Sequence, residues 1–250
     1  MPDINLVLIA SLIFVLAGFV KGVLGQGLPT VAVGLLSVIV SPGEAAALIV
    51  IPALLTNIWQ AWFGPSLLPL LRRLWPTLLA GFLGTFVATA LGLALLTPEG
   101  AAVARRALGV ALILYGLLGV SRIDLRVPPH AEPWLGPLLG LVTGVVASAT
   151  GVVMFPIIPY IQALGLQRDD LVQAQGMSFT VSSFALMFVV LGNGTLNTAN
   201  AGLSLLAMAV SFVGMFLGQY VRQLLRPDVF RLIFFLGMLA LGIHLALIHR

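Results

Sequence analysis

The chain contains no cysteine and very little charge. Without a thiol it can form no disulfide, hold no iron–sulfur cluster and build no zinc–thiolate site. Charged residues make up 8% of its 250 positions and hydrophobic ones 60%, whereas a soluble domain is charged at about a quarter of its positions. A typical soluble domain is therefore excluded. Apolar runs recur from end to end, which marks an all-α polytopic membrane protein. Carboxylates are absent from the middle of every run. Glu44, Glu99, Asp124, Glu132, Asp169, Asp170 and Asp228 all fall at segment ends or in loops. A mid-membrane carboxylate relay or sodium cage is thus not evident. No metal-ligand cluster, Walker loop or Ser/His/Asp spacing stands out, so neither an enzyme nor a cofactor is expected.

What charge there is follows membrane topology. The net charge is +4, but the basic residues are spread along the loops, and no nucleic acid is expected as a partner. The start, Met-Pro-Asp-Ile-Asn, lacks a basic n-region, so the first helix is expected to be retained. Apolar segments are read at 4–20, 28–40, 44–63, 75–97 and 103–120, then at 134–148, 152–164, 170–191, 201–221 and 228–248. Pro42, Pro65, Pro76, Pro98 and Pro227 sit at or beside segment ends. The long polar connection 121–133 separates a first membrane repeat, 1–120, from a second, 134–250.

The halves resemble each other. A shift of 122 places Gly18-Phe-Val-Lys-Gly22-Val opposite Gly140-Leu-Val-Thr-Gly144-Val. Each half reads short, short, long, long, long, and in each the short pair flanks a small-residue break. These breaks are Gly25-Gln26-Gly27 and Ala147-Ser148-Ala149-Thr150-Gly151. Such internal repeats build secondary transporters.

Arginine placement decides how the short pairs lie. If each pair crossed once, five arginines would face five. If each pair returns to its own side, Arg72, Arg73, Arg122, Arg126, Arg168, Arg222 and Arg226 share one side against Arg105, Arg106 and Arg250. That bias obeys the positive-inside rule. The expectation is two inverted repeats, each a short broken-helix hairpin plus three spanning helices. The hairpins enter from opposite faces, and their tips approach each other near the midplane. Both termini lie outside and 121–133 in the cytoplasm.

Candidate ligand-binding residues gather at the breaks. Lys21, the only lysine, precedes the first break, and helices starting near Leu28 and Val152 would aim partly positive N-termini at the same region. A cation beside helix N-termini suits a small anion. The plainer alternative is a lysine that snorkels or satisfies loop carbonyls. Gly25, Gln26 and Gly27 form the first turn, and Ser148, Thr150 and Gly151 the second. Asn57 and Gln60, beside Trp59 and Trp62, have counterparts in Gln175, Ser178, Thr180, Ser182 and Ser183. Each of these taken singly reads sooner as interhelical hydrogen bonding, and only as a set facing two breaks do they gain weight as ligand contacts.

With its glycine break Gly22-Val-Leu-Gly25-Gln26-Gly27 and the second copy Gly144-Val-Val-Ala-Ser-Ala-Thr-Gly151, followed by Val-Val-Met-Phe-Pro156, the chain resembles the sulfite exporter TauE/SafE (TSUP) family. The second copy lacks the consecutive glycines usual there, and Gly34 stands where the first copy's proline is expected. The resemblance implies transport of sulfite, sulfonates or related small organic anions across the bacterial inner membrane without ATP hydrolysis. The expected function is a secondary transporter of a small anion in which one repeat rocks against the other. An anion channel, a membrane-embedded enzyme and an assembly factor are the rivals. The expected partners are a small anionic substrate and the lipid bilayer, with a homo-oligomer allowed.

Overall fold

The computed structural model describes residues 4–247 except 94, 98, 122, 124, 193, 195–197 and 223–226. Three of the arginines counted above, Arg122, Arg226 and Arg250, lie outside the described residues, as does Asp124. Among the described residues there are ten helices and no strand. They are α1 (Ile4–Leu24), α2 (Leu28–Leu36), α3 (Pro42–Trp62), α4 (Leu67–Ala90) and α5 (Ala101–Ser121), then α6 (Glu132–Thr150), α7 (Ile157–Ala163), α8 (Arg168–Gly192), α9 (Thr198–Arg222) and α10 (Pro227–Leu247). Seven of them, all but α2, α4 and α7, are long and apolar enough to cross a membrane.

Local chemistry sets the boundaries. α3 opens on a capping box: Ser41 Oγ accepts from the Glu44 amide, and the Glu44 carboxylate accepts from the Ser41 amide at 3.0 Å. α1 extends to Leu24, past the segment end read at 20, so Lys21 lies in its last turn, just before the break. α4 begins at Leu67, not 75, and Pro76 is inside it. Arg72 and Arg73 are helical there, because long basic side chains reach the interface from a helix end. Arg73 forks onto Glu132 at 2.6 and 2.8 Å, tying the start of α4 to the start of α6. α7 begins at Ile157, not near Val152. Val152–Met154 carries no helix, Pro156 disfavours helix in Phe155 before it, and α7 starts only after a turn at Phe155-Pro156.

Both short pairs are hairpins. α2 runs back along α1: Gly27 neighbours Val20, while Leu36 and Val40 share a small crevice with Val7, Ala10 and Phe14. α7 runs back along α6 in the same way, with Tyr160 beside Gly136. The returning arms are shorter than expected, about 14 and 10 Å of helix. The outgoing arms are nearly full spans. Consequently the tips do not meet midway. Gly25 is held by Gln60, two residues before the end of α3, whereas Gly151 lies against Ala46 near its start. Roughly 20 Å of α3 separates them. What meets between them is Thr30 and Met154, in the segments just past each tip, at 3.9 Å.

The two halves interlock. α1 packs along α9 and α6 along α4, the same relation with the halves exchanged, while α3 pairs with α8 and α5 with α10. The α1/α9 and α4/α6 pairs run parallel, since Gly18 lies on Ser211 and Gly22 on Gly218, as Gly140 lies on Thr77 and Gly144 on Thr85. α3/α8 and α5/α10 run antiparallel. These directions bring Arg72, Arg73, Arg126, Arg168 and Arg222 to one end of the bundle, the basic end, and Arg231 joins them there. Arg105 and Arg106 stand at the other.

The glycines that align the halves are packing sites. A Cβ on Gly144 would collide with the backbone of Gly81 and Thr85, and one on Gly22 with that of Met215 and Gly218. Small residues let helices in lipid approach until their backbones touch. Replacing Gly144 by valine should lower stability by about 1–3 kcal/mol in a melt of the detergent-solubilised protein. Gly237→Ala, where nothing lies within 4 Å of the added carbon, should leave it level or slightly raised. An unchanged melt for Gly144→Val would contradict the tight crossing.

Candidate functional site

α1 ends because Gly25 and Gly27 take left-handed backbone, φ 76° and 103°, a conformation that suits glycine. Gly25's amide still donates to the Lys21 carbonyl, 2.7 Å away. The Gly25 carbonyl points out of the helix and is met by Gln60 Nε2 at 2.9 Å, whose amide also donates to Val172 O at 2.6 Å. Gln60 thus joins the first tip to α8. Gln173 does comparable work, donating to Ala61 O and accepting from the Ser66 amide, both at 2.7 Å. These contacts give amide partners to backbone groups at the end of α1, the end of α3 and the start of α4.

Inside this frame Lys21 is 3% exposed and Asn57 fully buried. The Lys21 amine donates to Asn57 Oδ1, a neutral acceptor, and Asn57 Nδ2 lies 3.4 Å from Ser183 Oγ. Ser183 stands in α8 where Asn57 stands in α3, fifteen residues beyond each helix's first residue. Asn57 and Ser183 therefore meet where the corresponding helices α3 and α8 pair. Two turns earlier on α8 Gln175 Nε2 donates to Gln26 Oε1 at 3.1 Å, and Gln175 Oε1 is buried without a partner among the described residues.

Lys21 lines a cavity of about 270 Å³ that lies at the basic end, between the end of α3, the start of α8 and the end of α9. Gln60, Gln173, Gln219, Asp169 and Arg222 line it too, with Trp59 and Phe63 stacked at its edge, ring centroids 4.0 Å apart. Such a space is small beside the 300–1,000 Å³ pockets of drug-sized ligands. An ammonium and a guanidinium against one carboxylate leave the lining net positive.

Six of the expected residues are thus assembled: Lys21, Gly25, Gln26, Asn57, Gln60 and Gln175. Gly27 is at the same tip as the residue before α2. Ser148, Thr150 and Gly151 are not part of this assembly. They sit at the second tip, where Ser148 and Thr150 return their hydroxyls to Val145 O and Val146 O, at 2.8 and 2.7 Å. Ser178 lies apart as well. Its buried hydroxyl has no partner among the described residues, and with Thr77, Thr143 and Ser182 it borders a cleft of about 10 Å³. Thr143 aligns with Lys21, so the second half has no cation at the matching position. Sequence reasoning missed Gln173, Gln219, Asp169 and Arg222 as cavity residues, because only the interlocked packing brings α8 and α9 beside α1. Ser183, named from the sequence as a counterpart of Asn57 and Gln60, is the residue that Asn57 meets.

The pairing of Lys21 with Asn57 is testable without any ligand. Asn57→Leu should cost about 1.5–3 kcal/mol by leaving a buried amine without its acceptor. Adding Lys21→Met should recover much of that loss. A thermal double-mutant cycle reads the coupling, and strictly additive losses would count against the contact.

The model of the family described as Sulfite exporter TauE/SafE matches residues 10–245. No curated protein and no solved structure matches the chain. A match over nearly the whole length fits the ten helices among the described residues, seven of them able to cross a membrane, and a cavity whose lining is net positive. The chain belongs to the sulfite exporter TauE/SafE family and is a multi-pass membrane transporter, not an enzyme.

Proposed function

We propose that the protein is a secondary transporter of a small oxyanion, such as sulfite, a sulfonate or a related organic anion, in the bacterial inner membrane. The observation that carries this reading is the buried Lys21 amine, held by a neutral amide and facing a cavity at one end of the bundle. An anion entering there meets Lys21 and Arg222 as charges and Gln219 as an amide donor. Asp169 competes for the same cations and eases release. Away from the basic end the bundle is filled by buried Phe14, Ala17, Ile49 and Ala53, which favours a carrier over a channel. The repeats 1–120 and 134–250 are inverted, 121–133 and the basic end face the cytoplasm, and both termini face outside. In the alternating step the α1/α9 and α4/α6 pairs move against each other about α3 and α8, and the cavity closes on one side as it opens on the other.

Purified protein in liposomes, screened for saturable uptake and counterflow of sulfite, thiosulfate, sulfonates and small carboxylates, tests the reading. Lys21→Ala should lower flux on the order of tenfold or more, the value of a charge-assisted contact. Asp169→Asn should tighten half-saturation. Flux without saturation or counterflow would mean a channel, and unchanged flux in a well-folded Lys21→Ala protein would remove Lys21 from the site.

Orientation is tested separately. The chain has no native cysteine, so single cysteines report cleanly. A cysteine at Arg72 or Asp124 should resist impermeant reagents in intact cells, and one at Arg106 should react. The reverse pattern would invert the topology.

A further inference from the structure

Arg105 and Arg231 hold the same place in the two halves, each the fifth residue of its helix, α5 and α10. Their surroundings differ. Arg105 turns inward, and its Nη2 donates to the Val40 carbonyl at 3.4 Å, in the turn between α2 and α3. Arg231 is exposed, lies over the Phe235 ring at 5.6 Å from its centroid, and borders a cavity of about 480 Å³. This cavity is at the basic end, between α5, α10, the end of α7 and the start of the connection that follows α5. It shares no lining residue with the Lys21 cavity.

Its wall includes Tyr115, which is 2% exposed and whose hydroxyl has no hydrogen-bond partner among the described residues. A buried hydroxyl without a partner is costly, and its residue lines the cavity together with Arg231, so a ligand oxygen there would need only a small side-chain shift to meet it. Gln162 adds an amide. We propose that this cavity is a second anion site, which takes a phosphate group with the Arg231 fork on two oxygens and the Tyr115 hydroxyl on a third. Two sources present that group. One is the headgroup of an anionic phospholipid, to which the apolar rim of Ile123 and Leu125, 61% and 46% exposed, offers a surface for glycerol and acyl carbons. Basic pockets between helices at the cytoplasmic side suit such headgroups. The other is free inorganic phosphate. The proposal does not rest on the transport reading.

Thermal melting of the full-length, delipidated protein in detergent tests it, with short-chain phosphatidylglycerol and inorganic phosphate titrated separately. All titrations are repeated in a Lys21→Ala background, so that the other cavity does not contribute. The expected result is a saturable rise in melting temperature with at least one probe. In Arg231→Gln its half-saturation should move up at least about tenfold, and in Tyr115→Phe by a smaller factor. A rise with the lipid alone assigns a headgroup, and a rise with phosphate assigns the free ion. No saturable rise with either probe overturns the proposal. So does a rise that both substitutions leave unmoved. Should Arg231→Gln fail to fold, Tyr115→Phe, which removes a single oxygen, carries the test.

Discussion

A helix that stops within a hydrophobic bundle must find partners for its loosened backbone from its own protein. Here amide side chains supply them. Gln60 holds the first tip to α8, Gln173 closes the end of α3 and the start of α4, and Gln26 is met by Gln175. All four bind across elements distant in sequence, so the tip, α3 and α8 are positioned together or not at all. Lys21 depends on the same arrangement, because its acceptor Asn57 lies one turn before Gln60 on α3.

Much of the fold was legible in the chain. Low charge and recurring apolar runs call for a helical membrane protein, and arginine placement selects hairpins over broken single spans. Boundaries near proline were less legible. Pro76 read as a helix start yet lies inside α4, while Pro156 delays α7 by several residues. The difference is context: α4 is braced along its length by α6, whereas the stretch before Pro156 has no helix to continue. The candidate site was legible on the side of α1 and α3, where Lys21, Asn57 and Gln60 stand out as polar residues in apolar runs. It was illegible on the side of α9, since nothing local in Gln219 or Arg222 tells which helix they face.

The halves match in helix order and in packing pairs but are not equivalent. Lys21 is matched by Thr143, a hydroxyl that returns to its own helix at Leu139 O, 2.7 Å away. Arg105 is matched by Arg231, one engaged with backbone and one bordering open space. In both comparisons one half uses a position for packing and the other leaves it available for chemistry. A common scaffold can therefore bind ligand at one end without doing so at the other, and the two ends need not obey the same rules.

The parallel crossings of α1 on α9 and α4 on α6 bear on how such a chain is assembled. Each half gives its first helix to the other and receives one in return, with glycine backbones in direct contact. Neither half then encloses a complete core of its own. During synthesis α1 must remain without its main partner until α9 has been inserted, so the first half stays unfinished until the second is nearly complete. The molecule is in this sense an exchanged dimer written as one chain, and the long polar connection is what keeps the two participants at high effective concentration.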